Sequence, residues 1–425
     1  MELTKTKAAL SVPKGYKQTE VGVIPEDWEV SSFEELFKVK GGGTFKSKDK
    51  VSNGVKWLKI ANVGVRKIKW DDIEYLPAYF LNSFSEFVLN ENDVVMALTR
   101  PILSYKLKIA KIKKDDSPCL LNQRVGKIEP YTNLDLDWIY HMIQSHKSII
   151  GLMDSMAGTD PPNLSNKGIY SVRIPLPPTL KEQKAIATVL SDTDALIQAL
   201  EQKIAKKKRI KKGVMQQLLT PKEGWEELNL GESAILKARI GWQGLTTAEY
   251  LNNGNYFLIT GTDFKNGYID WGNCVFVKKN RYDQDKNIQI QKEDVLVTKD
   301  GTIGKVALVD KVPKPTTLNS GVFVIRPKNK AFNSKYFYYV LMSNHFDKFL
   351  SKLTAGSTIS HLYQKDFIHF TFPIPPTYEE QEQIAQVLFV IDQEIENLEQ
   401  KLSKYQRIKQ GLMQQLLTGK IRLVV

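Results

Sequence analysis

The strongest constraint on the fold is a long repeat. Residues 175–220, PLPPTLKEQKAIATVLSDTDALIQALEQKIAKKKRIKKGVMQQLLT, align without a gap on residues 373–418, PIPPTYEEQEQIAQVLFVIDQEIENLEQKLSKYQRIKQGLMQQLLT, with 27 of 46 positions identical. A period near 200 residues is too long for a solenoid and points to duplication of a large unit: a globular segment followed by a shared segment. The shared segment reads as a helix. Pro177-Pro178 and Pro375-Pro376 bar helix just upstream, Thr179 and Thr377 are natural N-caps, and Glu182 and Glu380 stand at capping-box spacing. Apolar positions then alternate in steps of four and three. They are Ile186, Leu190, Ile197, Leu200 and Ile204 in the first copy, and Ile384, Leu388, Ile391, Ile395, Leu398 and Leu402 in the second. The seam continues to Val214 and Leu218, and through Tyr405 to Leu412 and Leu416. That is the pattern of a coiled coil.

Pairing of the two helices with each other is favoured over separate packing of each on its own domain. The seams outlast most globular helices, and the charges oppose. Residues 181–220 carry nine basic and four acidic side chains, whereas residues 379–418 carry four and seven. Unlike helices attract, and each would repel its own copy. Forty residues at ~1.5 Å each give a rod of about 60 Å. Antiparallel pairing is expected to put the globular segments at opposite ends and to close a cyclic, pseudo-twofold order of globe, helix, globe, helix.

The globular segments, 21–173 and 221–371, are related but far more diverged. Both open on a tryptophan, Trp28 or Trp225, and continue through a glycine-containing turn, KVKGGGTF or KARIGWQG. ENDVVMALTRP at 91–101 matches KEDVLVTKDGT at 292–302, and CLLNQRVGKIEP at 119–130 matches TTLNSGVFVIRP at 316–327. Short strands alternating with one or two helices predict mixed α/β domains. The expected boundaries are an N-terminal arm at 1–20, a first domain at 21–173, a central helical repeat at 174–220, a second domain at 221–371 and a C-terminal helical repeat at 372–425. The net charge of +13 favours a polyanionic partner, but neither domain is uniformly basic. The excess is local, as at Lys46, Lys48 and Lys50, or at Arg100 and the lysines that follow it. Two cysteines and five histidines, without metal-ligand spacing, argue against a disulfide framework or a metal centre. The first ten residues lack the apolar core of a secretory signal and no apolar run approaches a membrane span, so a cytoplasmic protein is expected.

IPEDW at 24–28, the two PxPPT helix starts and the two MQQLLT endings, set in this architecture, resemble the specificity (S) subunit of Type I restriction-modification systems over nearly the whole chain. The resemblance implies two target-recognition domains, an antiparallel coiled coil between them, and no catalytic centre, metal or cofactor. The implied partners are double-stranded DNA, two methyltransferase (modification) subunits and restriction-translocase subunits, with no membrane. The implied target is bipartite and asymmetric, because the two domains differ. The near-identical helices would each dock the same partner.

Base reading commonly falls to Arg on guanine and to Asn or Gln on adenine. The candidates in the first domain are Asn62, Arg66, Arg100, Asn122, Gln123 and Arg124, with Tyr105 for a base or sugar. Those in the second are Gln243, Lys299, Thr302, Asn319 and Ser320. Lys46, Lys48, Lys106 and Lys305 are the phosphate candidates. For each, the competing reading is a salt bridge or a solvated surface side chain. TDPPN at 159–163 resembles the base-flipping motif of amino-methyltransferases but has Asn163 where an aromatic is needed. GTIGK at 301–305 is too short for a P-loop, with Val306 in place of the hydroxyl residue. A protein-bridging adaptor without DNA selection and an unrecognised DNA methyltransferase are the rival readings. Sequence selection in gel shifts and binding of S-adenosylmethionine separate them.

Overall fold

The computed structural model describes residues 12–156, 158, 160–241, 244–354 and 361–423. The chain divides into two compact units, 1–200 with 401–425, and 201–400. Each unit thus holds one globular segment, the first half of the long helix that follows it, and the second half of the other long helix.

The two long helices are α1 (Leu180–Leu218) and α2 (Tyr378–Leu416), 39 residues each. Both begin as their sequences dictate. Thr179 Oγ1 accepts the Glu182 amide at 3.2 Å, and Thr377 Oγ1 accepts the Glu380 amide at 3.2 Å. The Glu182 carboxylate, however, is taken by Arg422 rather than closing the capping box. A glutamine one residue on ties each helix to its domain. Gln183 accepts the Asp135 amide at 3.0 Å, and its counterpart Gln381 accepts the Asn333 amide at 2.8 Å.

The helices run antiparallel in both units. In the first, Asp194 pairs with Lys409. In the second, Lys207 pairs with Glu394, Lys208 with Glu399 at 2.6 Å, and Lys211 with Asp392 at 2.5 Å. The last three pairs draw on the charge asymmetry of the two sequences. Of the seam positions, Ile186, Leu190, Ile197, Leu200, Ile204, Ile384, Leu388 and Ile395 are buried, and Ile391, Leu398 and Leu402 are half-buried. Ile186 and Leu190 belong to the core of the first domain, with Leu416 and Leu417, and Ile384 and Leu388 to that of the second, with Leu219. The ends of the apolar stripe therefore serve the globular cores rather than a helix pair alone. This explains why both endings carry a Leu-Leu pair: Leu416 and Leu417 are buried in the first domain's core, and Leu219, with Leu218 half-buried beside it, in the second's.

Each domain is built on the same two sheets. In the first, antiparallel strands Ile109–Lys111, Val94–Ala97, Val125–Pro130 and Phe37–Gly41 lie side by side in that order. In the second, Val306–Leu308, Val295–Thr298, Val322–Pro327 and Ala234–Ala238 repeat it. A second sheet, of four strands in the first domain and three in the second, contains one parallel pair, Val55–Leu58 with Cys119–Leu121 or Tyr256–Ile259 with Thr316–Leu318. The central strands are buried on both faces, as the apolar runs VVMA and VLV, the latter closed by buried Thr298, require. Two short helices follow in each, Leu136–Ile143 and His146–Ser155, or Ser334–Leu341 and Asn344–Thr354.

The expected loose N-terminal arm differs in part. Residues 1–11 lie outside the described residues, but Tyr16–Thr19 pairs with Gly22–Pro25 as a hairpin, and the Tyr16 hydroxyl donates to the Gly419 carbonyl at 3.1 Å. Arg422 spans Asp27, with contacts of 2.8 and 3.0 Å, and lies 5.7 Å over the Trp28 ring. The end of the C-terminal repeat is thereby anchored on the first domain. Among the described residues no helix is long and apolar enough to cross a membrane.

Candidate nucleic-acid interface

Three backbone segments converge at one end of the large sheet in the first domain. The glycine turn is pressed onto the turn Asn122–Arg124. The Gly43 amide donates to Leu121 at 2.8 Å and the Gln123 amide to Gly43 at 3.1 Å. A Cβ at Gly42 would lie 2.1 Å from the Leu121 carbonyl oxygen, so only glycine fits there. The third segment is Leu98–Arg100. The Leu98 amide donates to Arg124 at 3.0 Å, and the Arg100 amide to Pro162 at 2.8 Å. Arg100, Gln123 and Arg124 are gathered there with exposed side chains.

The second domain builds the same convergence from other residues. The Lys299 amide donates to Gly321 at 2.9 Å, and Leu362 donates to Lys299 at 2.8 Å, as Leu164 does to Leu98 at 2.8 Å. The bridge Asp300–His361 stands where Thr99–Asn163 stands in the first domain. Matched in this way, Leu98, Thr99, Arg100, Gln123 and Arg124 become Lys299, Asp300, Gly301, Ser320 and Gly321. At the position of Gly42 stands Arg239, 1 % exposed, whose Nε donates to the Leu318 carbonyl at 2.8 Å and whose Nη2 donates to Thr317 Oγ1 at 3.0 Å. Burial lowers the Arg239 pKa from its ordinary value, with Arg281 acting in the same direction. One frame, with a different set of side chains on each copy, is what two unlike readers require.

The remaining candidates separate by their partners. Asn62 is 2 % exposed, accepts the Lys59 amide at 2.9 Å and donates to Lys69 and Asp72 at 3.0 and 3.2 Å. It builds a loop and has no amide edge left for a base. Arg66 donates to Asp194 at 2.7 Å, fastening the domain to α1. Asn122 accepts the Arg124 amide at 3.1 Å, and Asn319 holds Tyr250 and the Ser320 amide at 2.7 Å each, so both shape their turns. Lys299 is half-buried, its ammonium 5.4 Å over the Phe323 ring. Thr302 and Lys305 are exposed on a loop pinned by buried Thr298, which donates to the Thr302 carbonyl at 2.6 Å and accepts the Lys305 amide at 2.9 Å. Lys46, Lys48 and Lys106 are exposed, as is Tyr105. Gln243 lies outside the described residues, as does the 355–360 part of the second polar loop.

Charged residues where the long helices meet the first domain escaped the sequence reading. Asp194 receives both Lys409 and Arg66, and the pair Asp392–Lys211 repeats the first at equivalent positions. Burial opposes ionisation of Asp194, but the Lys409 and Arg66 charges outweigh it and hold the carboxyl below its ordinary value. Burial pushes the Lys409 ammonium down to about 8. Next to them His141 is fully buried, its Nε2 2.9 Å from Ser191 Oγ, and burial together with the Lys409 charge lowers it to about 3. The matching position in the second domain is Tyr339, whose hydroxyl donates to Asp392 at 3.0 Å. A polar residue recurring within an apolar stripe, Asp194 and Asp392 one repeat apart, was the available signal. Among the described residues no group of His, Cys, Asp and Glu is arranged to hold a metal.

Two globular domains of one frame, each carrying a loop-built polar patch and each packed on halves of the repeated long helices, define a class of internally duplicated two-domain proteins. The chain belongs to the Type I restriction modification DNA specificity domain family, whose model matches it twice, over residues 25–211 and 222–406. It is similar to the Type I restriction enzyme MjaVIII specificity subunit of Methanocaldococcus jannaschii, 38% identical over 217 residues, and this match spans about half of each chain, 51% of both. It is also similar to the putative type I restriction enzyme MjaX specificity subunit of the same organism, 27% identical over 96% of this chain and 97% of that one. The fold is that of the Type-I restriction-modification system S subunit from M. genitalium, with a TM-score of 0.63 at 18% identity, covering 96% of this chain and 98% of that one.

Proposed function

We propose that this chain is the sequence-reading subunit of a Type I restriction-modification complex, and that it contributes recognition rather than chemistry. Its two domains, at 21–173 and 221–371, read two different short DNA sequences as the halves of one bipartite, asymmetric target. The observation that carries this reading is the duplicated convergence of loops, in which Arg100, Gln123 and Arg124 on one copy are replaced by Gly301, Ser320 and Gly321 on the other. Donor-rich side chains on a sheet end can address base edges, and the exposed Lys46, Lys48, Lys106 and Lys305 supply cations for phosphates. The coiled-coil repeats, nearly identical in sequence, each offer one methyltransferase subunit the same docking surface, and restriction-translocase subunits join for cleavage. Work on DNA in this setting belongs in the cytoplasm and needs no cofactor bound to this chain.

The test is selection from a pool of randomised duplexes by the chain assembled with its methyltransferase subunits. Enrichment of two unlike short blocks separated by unselected bases is expected. Recovery of DNA without sequence enrichment would leave a protein-bridging adaptor, and S-adenosylmethionine binding by the chain alone would point to an enzyme.

A further inference from the structure

The two domains differ in one loop by an insertion. In the second, the Thr298 amide reaches Lys305 at 2.9 Å; in the first, Ala97 reaches Lys108 at 3.0 Å, so four more residues are enclosed. The longer loop folds into a hairpin, Ile102–Leu103 paired antiparallel with Lys106–Leu107, turning at Ser104-Tyr105. Both turn residues have positive φ, 48° and 58°, the geometry in which Asn-Gly is the unstrained choice. Serine and tyrosine hold it instead.

The hairpin is rooted firmly. Leu107 is 1 % exposed in the domain core, Ile102 packs against the same core, and the Lys108 amide closes the base on Pro101 at 2.7 Å. Strand alternation puts Leu103 and Lys106 on the other face. Leu103 is 62 % and Tyr105 64 % exposed, among the most exposed large apolar side chains of the described residues. The Tyr105 ring joins no aromatic pair and its hydroxyl has no hydrogen-bond partner among the described residues. A bulky pair held out on a rooted hairpin, at the cost of a strained turn, is built to be covered. What covers it is indicated by its neighbours. Arg100 precedes it in the same loop, Lys106 lies directly across from Leu103, and Lys108 follows, all cationic. A cationic rim around an apolar tip fits a phosphate-walled groove whose floor carries thymine methyl groups among its polar base edges.

We propose that the Ile102–Leu107 hairpin is a recognition finger that enters the major groove of the half-site read by the first domain. Leu103 and Tyr105 lie on base edges and Lys106 on the flanking backbone. A two-stranded ribbon fits that groove, and apolar side chains there read thymine methyl groups. The second domain, lacking the insertion, reads without a finger. This rests on the DNA-reading function proposed above and adds a specific element to it.

The test uses the full chain assembled with its methyltransferase subunits and compares wild type with Leu103→Ser/Tyr105→Asn, asparagine being at ease at positive φ. Competition binding is measured on a duplex carrying the wild-type methylation motif and on duplexes with either half scrambled. The variant is expected to assemble normally, to bind the intact motif about tenfold more weakly, and to relax base preference in one half only. Unchanged affinity and motif would overturn the finger while leaving the DNA-reading function standing. So would equal relaxation of both halves, or failure to assemble with the methyltransferase subunits, which would make the tip a protein contact. Absence of any motif from the wild-type complex would instead defeat the underlying function, and the finger with it.

Discussion

Arg100 holds φ at +46°, and the residue that matches it in the second domain is Gly301, at +68°. Left-handed backbone costs a non-glycine residue roughly 1–2 kcal/mol, which glycine escapes. An arginine kept where the fold prefers glycine argues for a use of its side chain. Arg100→Gly is therefore expected to leave thermal stability unchanged or raise it by up to about 1 kcal/mol, offset by glycine's unfolded-state entropy. At the same time it should lose about 1–3 kcal/mol of discrimination at one base position. Thermal unfolding together with the methylation motif checks both; a destabilised chain with an intact motif would make Arg100 structural. His141 gives a second residue-scale expectation. Its folded pKa, lowered by burial to about 3, lies below that of the unfolded chain, so the unfolded state binds the proton first. Stability contributed by keeping it neutral is present above pH ~6.5 and is lost as pH falls below that, at up to ~1.4 kcal/mol per pH unit. His141→Tyr, which copies the second domain's Tyr339, is expected to flatten that slope in denaturant titrations between pH 7 and 5.

At the scale of elements, the long helices were legible in detail. Prolines, N-cap threonines and the apolar stripe gave their starts and their faces, and the domains' mixed α/β character followed from alternating short strands. What the stripe concealed was its division of labour, because a heptad pattern does not say whether Ile186 meets a helix or a domain core. The pairing of Asp194 with Lys409 was not legible: the recurrence of Asp194 as Asp392 marked a polar break in the stripe, but a charge on a helix is ordinarily solvated and only the fold shows which partner buries it. At the candidate interface, Arg100, Gln123 and Arg124 were picked out by residue type, and the structure leaves their side chains exposed. Asn62 and Asn319 were not separable from them, because asparagine builds turns as readily as it reads adenine. The buried pair gives an element-scale expectation. Asp194→Ala leaves Lys409 buried without its partner and is expected to cost about 3 kcal/mol, whereas Asp194→Leu/Lys409→Leu recovers most of it. Urea unfolding of the two variants checks this, and equal losses would mean the pair adds nothing beyond packing.

For the whole molecule, duplication explains both the constancy and the divergence. Each repeated helix contributes to two units, its first half packing on one domain and its second half on the other, so one helix has to satisfy both cores. The loops at the sheet ends have diverged between the two domains, while the strands of the large sheet keep one order. The central claim is that these loops form two independent readers. Sequencing-based mapping of methylated sites, made by the complex containing wild type, Arg100→Ala or Lys299→Ala/Thr302→Ala, tests it most directly. The expected result is a wild-type motif of two unlike blocks around unselected bases, with the first variant loosening one block and the second variant only the other. A single uninterrupted motif, or both variants loosening the same block, would contradict it.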